Sequence, residues 1–304
     1  MAVDPRREVR LLVFAHLHLD RAFPWAAPEA GQEARAARQL ALDALCSIAD
    51  AEADVLVSAG DLYDQEHHHP DTGELLREAF ERLTPMPVLL VPGTSDPPGR
   101  TSLYERVPWS ENVTVLAADQ PAPVEVAPNL TVWGAAGREA FATFAAPGLG
   151  QHVGLTHWAP PPDVERTGLL HLISGEGHVP QSGQRVAWAG AVLPAGGADG
   201  GGSFSILSVF DDGTVAVTQR PLEGEGPQAP PHRFSADGLA EFDLALLGEE
   251  QTVRGEFVRD LLATGDPADL HVRRLALLAG LRALGGTRPR LGAQTAADRN
   301  GGHA

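Results

Sequence analysis

Residues 54–64 read DVLVSAGDLYD, an apolar run that stops at Gly60-Asp61. Val55, Leu56 and Val57 follow one another without polar alternation, the pattern of a strand buried on both faces in a parallel sheet. The same design stands on either side. Glu8–Phe14 (EVRLLVF) precedes it and Val88–Val91 follows, and each ends in a polar loop, AHLHLD at 15–20 and PGTSD at 92–96. Between the strands, 32–51 and 71–83 read as helices. Leu40, Leu42, Leu45 and Ile48 are expected near one face of the first, and Asp71 or Thr72 as N-cap of the second. This β-α-β-α-β alternation predicts right-handed crossovers and parallel pairing.

Past residue 100 the pattern changes to shorter strands, at 113–116, 130–134, 152–156, 169–174, 186–189, 203–210 and 215–219, which together predict a second sheet. SFSILSVF and TVAVTQ, joined by Asp211-Asp212-Gly213, read as a hairpin. The Gly/Pro-rich stretch 223–234 reads as a linker. Helical spacing returns at 239–247, 252–262 and 270–284, so the expected organisation is a main domain at 1–222, a small helical appendage at 235–285 and a disordered tail at 286–304.

Composition removes several function classes. A net charge of −17 argues against a protein that coats nucleic acid indiscriminately, since phosphate contacts need dense positive charge. The basic groups gather late, at Arg273, Arg274, Arg282, Arg288, Arg290 and Arg299. No apolar run approaches the roughly 20 residues that span a bilayer, and the N-terminus lacks a secretory pattern, so no membrane partner is expected and the cytoplasm is the expected compartment. The single cysteine, Cys46, sits in a helical pattern and reads as a small buried hydrophobe.

In an α/β sheet, ligands gather at the carboxyl ends of strands. Here those ends carry His16, His18 and Asp20 after the first strand, Asp61 and Asp64 after the second, and Thr94, Ser95 and Asp96 after the third. Later strands end in His157 and in Gly175-Glu176-Gly177-His178. One such His or Asp makes an ordinary hydrogen bond or helix cap. Five strand ends together, rich in imidazole and carboxylate, suit a divalent metal such as manganese, iron or zinc.

The stretches FAHLHLDRAF, SAGDLYD, VPGTSD, VGLTH and ISGEGH resemble, in order, the D-x-H, G-D-x-x-D, G-N-H-D, strand-end His and G-H-x-H motifs of the calcineurin-like metallophosphoesterases. RVPWSENVTVL and RVAWAGAVLP are similar to the SbcD/Mre11-related DNA-repair exonucleases of the YhaO-like type, and the resemblance runs from about Val9 to Arg220. It implies a four-layer α-β-β-α sandwich of two packed mixed sheets. It also implies hydrolysis of a phosphodiester by a metal-bound hydroxide, with manganese first among the metals and iron or zinc as alternatives.

Carried over residue by residue, the resemblance assigns one metal to His16, His18, Asp61 and His178, and a second to Asp61, Thr94, His157 and Glu176. The departures lie at His16, where the family has Asp, at Thr94 in place of Asn, and at Glu176 in place of His. Thr94 is a weak ligand, so one metal is expected rather than two. Ser95 replaces the family's acid His, and a serine hydroxyl is too weak an acid to protonate a leaving alkoxide. Asp96 is retained. In the run Glu66–His69, His67 is the substitute acid or ligand to examine.

The expected function is therefore that of a DNA exonuclease-like metallophosphoesterase with an impaired or altered dinuclear site. The alternatives are a catalytically inactive relative serving as a binding or structural partner in DNA repair, and a small-molecule phosphatase or phosphodiesterase. The resemblance implies DNA and an SbcC/Rad50-like ATPase as partners, the latter through residues 235–285. Association as a homodimer is a further expectation.

Overall fold

Parallel strands buried on both faces need helices or a second sheet to cover them, and this chain uses both. The computed structural model describes residues 8–22, 28–176, 181–182, 185–192 and 202–222. The expected linker, helical appendage and tail lie outside the described residues, as does His178.

The chain begins with β1 (Glu8–Phe14), α1 (Pro28–Glu52), β2 (Val55–Ser58), α2 (Thr72–Glu81), β3 (Val88–Leu90), a single turn α3 (Leu103–Arg106) and β4 (Val113–Val115). The four strands pair in parallel, Leu12 with Leu56, Leu56 with Val88 and Leu90 with Val115. A second sheet follows from β5 (Ala122–Ala127), β6 (Leu130–Ala135), β7 (Gln151–Thr156), β8 (His171–Ser174), β9 (Gln181–Ser182) and β10 (Val186–Trp188). Its order is β5-β6-β7-β8-β10-β9, parallel through the middle with antiparallel edges. The expected hairpin, β11 (Ser203–Phe210) and β12 (Val215–Pro221), returns to the first sheet. There β11 lies antiparallel to β1, completing the order β12-β11-β1-β2-β3-β4.

Strand alternation sorts the core. Leu12, Phe14, Leu56, Leu90 and Phe204 face Leu42, Leu45, Leu76 and Phe80 of the helices. Leu11, Val13, Val57, Leu89 and Leu207 face Val132, Val153, Leu155 and Ile173 of the second sheet. The outer face of the second sheet packs Leu172 and Trp133 against Phe141, Phe144 and Val164, which belong to loops and a one-turn 3-10 segment (Val164–Thr167). Among the described residues, that thin cover makes the fourth layer.

The differences from expectation have local causes. Helix α1 starts at Pro28 rather than Gln32, because proline has no N–H to lose in the first turn and a preset φ. Leu40 is 69% exposed. It lies about 140° round the helix from Leu45, whereas Leu42 lies about 60° away, at 100° per residue. Strand β5 escaped notice because Pro121 and Pro123 punctuate it, and proline in a strand is tolerated at an edge, which is where β5 sits. The two-residue β9 is too short to leave a periodic signal.

Candidate metal centre

Strands β1 and β2 are parallel neighbours, so their polar loops leave the sheet at the same edge. The loops then run together: His16 N–H donates to Gly60 O at 3.0 Å, His18 N–H to Asp61 O at 2.9 Å and Leu19 N–H to Leu62 O at 3.0 Å. This course puts His16, His18, Asp20 and Asp61 at φ between 49 and 61°, and Asn129 is the one other non-glycine residue with positive φ among the described residues. A side chain in that region costs about 1–2 kcal/mol per residue, and such strain gathers where function over-determines the backbone.

Asp61 is the hub, and its two oxygens face different groups. Oδ2 lies 3.0 Å from His16 Nδ1 and 3.6 Å from His18 Nε2. Oδ1 accepts the Ser95 N–H at 2.7 Å and lies 3.8 Å from His157 Nε2. All three histidines and Asp61 are buried.

His157 stands in a slot cut by glycines from three loops. A Cβ on Gly60 would lie 2.4 Å from its Nδ1, one on Gly175 2.9 Å from the same atom, and one on Gly93 3.0 Å from its Cε1. Its Nδ1 lies 3.0 Å from the Ala59 carbonyl, which only accepts, so this nitrogen carries the proton and Nε2 presents a lone pair. The Trp158 ring closes one side edge-on at 5.3 Å, with the Arg138 guanidinium 4.3 Å from the Trp158 centroid.

Asp96 works from below. One of its oxygens accepts from Asp61 N–H (3.1 Å) and Gly93 N–H (2.6 Å), the other from Leu62 N–H (2.7 Å) and Tyr104 O–H (2.6 Å). It is fully buried and ties the loop after β3 to the loop after β2. Burial and the nearby Asp61 charge push its carboxyl up to about 6 against these donors.

The other expected site residues fall as follows. Thr94 is exposed, with its hydroxyl 3.2 Å from His157 Nε2. Ser95 Oγ is 3.1 Å from His18 Nδ1 and donates to the Tyr63 carbonyl at 3.2 Å. Glu176 is exposed, its charge favours the protonated form of His157, and its N–H donates to Ser174 Oγ. His67 is held to its own loop, with Nδ1 3.0 Å from Asp64 Oδ2, and His68 lies edge-on to Tyr63.

Some participants escaped the sequence reading. Tyr104 supports Asp96, and Thr72 bonds Asp20, which also accepts the His69 N–H. Neither carries a local signal, because each acts across a loop contact. Arg38 is buried on α1, where a helix position facing the core predicts an apolar residue. Its charge and that of Arg21 bear on His18. Burial lowers Arg38 to about 10, and the Arg21 charge adds to the effect.

The electrostatics keep the donors ready for a cation. Burial alone would raise Asp61, but the hydrogen bond with His16, the nearby His157 and His18 and the Ser95 N–H together hold it below the usual carboxylate range. Burial pushes His18 down to about 3 and lowers His157, against the pull of Asp61 in both cases. Both shifts favour the neutral imidazole of His18 and His157, the form that ligation requires.

The donor set fits a divalent ion: ligand atoms of His16, His18 and Asp61 all lie within 4.8 Å of one another. Donors about 2.0–2.2 Å from one cation at tetrahedral or octahedral angles lie roughly 3.0–3.6 Å apart. The 3.6 Å between His18 Nε2 and Asp61 Oδ2 falls in that range, and so would the 3.0 Å between His16 Nδ1 and Asp61 Oδ2 once a cation displaced the hydrogen-bonded proton between them. No helix among the described residues is long and apolar enough to cross a membrane.

No protein-family model matches the chain, and no curated protein matches it. Among solved structures it is similar to the calcineurin-like phosphoesterase YfkN from Bacillus subtilis, at 10% identity and a TM-score of 0.42 over 71% of this chain and 91% of that one. It is also similar to a dimetal phosphatase from Danio rerio, at 10% identity and a TM-score of 0.44 over 70% of this chain and 96% of that one. Likenesses at that level carry no argument about chemistry, which rests on the residues.

Proposed function

We propose that this chain is a metal-dependent phosphoester hydrolase of the calcineurin-like type, with one divalent cation held by His16, His18 and Asp61. The observation that carries the proposal is the meeting of three buried donors at Asp61 Oδ2, on loops whose backbone is strained at each of those residues. When bound, such a cation polarises a phosphoryl oxygen and makes a water molecule more acidic.

The chain's own groups do the rest. Asp61, kept ionised, offsets one of the cation's two charges. The Arg21 and Arg38 charges, felt at His18, supply positive potential for an entering phosphate in a protein of net charge −17. Asp96 holds the loops in register. A second cation would compete with the Ser95 N–H on Asp61 Oδ1 and the Thr94 hydroxyl at His157 Nε2, which supports one ion over two. The motif order favours a phosphodiester substrate, with DNA and manganese the first pair to try, and we place the activity in the cytoplasm.

One observation favours a second reading, a metal-binding relative without turnover. The side chains that touch His18 and His157 from the loop after β3 are the Ser95 and Thr94 hydroxyls, and neither is a competent acid at neutral pH. Metal content, followed by manganese-dependent hydrolysis of bis-p-nitrophenyl phosphate and of linear DNA, separates the readings. About one equivalent of metal with turnover that disappears in Asp61→Ala supports the hydrolase. One equivalent without turnover supports the second reading, and no bound metal refutes both.

A further inference from the structure

We infer that Ser95 is a positioning residue that fixes His18 in the tautomer whose Nε2 lone pair faces Asp61. Its relevance to metal binding rests on the reading above, whereas the tautomer does not. Ser95 is itself anchored, because its N–H donates to Asp61 Oδ1 at 2.7 Å. Its hydroxyl has one hydrogen and two neighbours, the Tyr63 carbonyl at 3.2 Å and His18 Nδ1 at 3.1 Å. A carbonyl can only accept, so the hydroxyl hydrogen goes to Tyr63 and the Ser95 oxygen accepts from His18 Nδ1–H. The ring has one proton to place in its neutral form, and Nε2 is left bare.

The opposite tautomer would draw the Ser95 hydroxyl hydrogen to Nδ1 and give up the bond to the Tyr63 carbonyl. An N–H on Nε2 would point at Asp61 Oδ2 across 3.6 Å, too far for a hydrogen bond, and would block the atom that a cation needs. Ser95 therefore grips the two adjacent ligands at once, Asp61 through its backbone and His18 through its side chain. This is the outer-shell orientation that sets imidazole tautomer and basicity at metal sites. The residue at this place in the loop thus supports a ligand without serving as an acid.

The test is imidazole 15N NMR on the full-length chain without metal, with the His18 signals assigned by their loss in His18→Gln. Manganese titration of wild type, Ser95→Ala and Ser95→Thr accompanies it. The expected result is Nδ1–H on His18 in wild type and in Ser95→Thr, and a mixed or reversed tautomer in Ser95→Ala. Manganese affinity should fall by about 10–100-fold in Ser95→Ala and be largely restored in Ser95→Thr. An Nε2–H tautomer in wild type overturns the inference, as does a Ser95→Ala variant with unchanged tautomer. If wild type binds no manganese, the hydrolase reading fails and the tautomer measurement alone still decides the role of Ser95.

Discussion

Gly60→Ala tests the loop packing most directly. Gly60 has φ of 98°, where an L side chain is strained, and the added Cβ would sit 2.4, 2.7 and 2.9 Å from Nδ1, Cγ and Cβ of His157. Ordinary carbon contacts begin near 3.5 Å, so the ring must retreat by about 1 Å. Retreat breaks the Nδ1 bond to Ala59 O at 3.0 Å and carries the ring away from Asp61. Backbone strain of about 1–2 kcal/mol and overpacking of about 1–3 kcal/mol together give a loss of roughly 2–5 kcal/mol. In a domain of this size that lowers the melting temperature by roughly 5–15 °C. A 1 Å misplacement can cost about 10²-fold in rate, so turnover should fall by that order if His157 faces the substrate. The assay is thermal unfolding by circular dichroism, beside Gly148→Ala, whose Cβ meets nothing within 4 Å and which should change stability by less than about 0.5 kcal/mol. If Gly60→Ala melts with wild type and Gly148→Ala, the slot does not constrain the backbone and the reasoning fails.

Other outcomes follow from the same geometry. Manganese at 100 times its dissociation constant should stabilise the chain by about 2.7 kcal/mol, raising the melting temperature by roughly 5–10 °C. EDTA or Asp61→Ala should erase that rise, and a rise that survives Asp61→Ala places the ion elsewhere. Burial holds His171, on β8, down to about 4 against an ordinary value near 6.5. The unfolded chain therefore binds this proton first as pH drops. Stability from this group is complete above pH 6.5 and is lost towards pH 4, by at most about 3 kcal/mol. Urea unfolding of His171→Gln should show a flatter acid slope than wild type, and equal slopes would refute the assignment. Arg21→Ala should raise KM for a phosphodiester several-fold while kcat stays close to wild type. An unchanged KM removes Arg21 from substrate binding.

The chain itself announced its architecture wherever a signal is local. Continuous apolar runs marked β1, β2 and β3, helical spacing marked α1 and α2, and Asp-Asp-Gly marked the turn between β11 and β12. The polar residues at strand ends pointed to one edge of a parallel sheet because parallel strands all end on the same side, and His16, His18 and Asp61 meet there. Edge strands were harder to see, since β5 contains a proline and β9 has only two residues.

Tertiary structure decided what each group at that edge does. The glycines at 60, 93 and 175 look in sequence like separate turn residues, yet all three border a single imidazole from the end of a strand in the other sheet, Gly93 lying closer still to Asp61 and Gly175 to the Ala59 carbonyl. Asp96 reads as a catalytic position and becomes a buried clamp, because four donors from three stretches of chain converge on it. Ser95 reads as a lost acid, and its place between Tyr63 O and His18 Nδ1 makes it a support. The physical reason is common to all three. Periodicity and turn chemistry follow from neighbours along the chain, whereas a carboxylate's oxygens and an imidazole's two nitrogens take their roles from whichever groups the fold brings within about 3 Å.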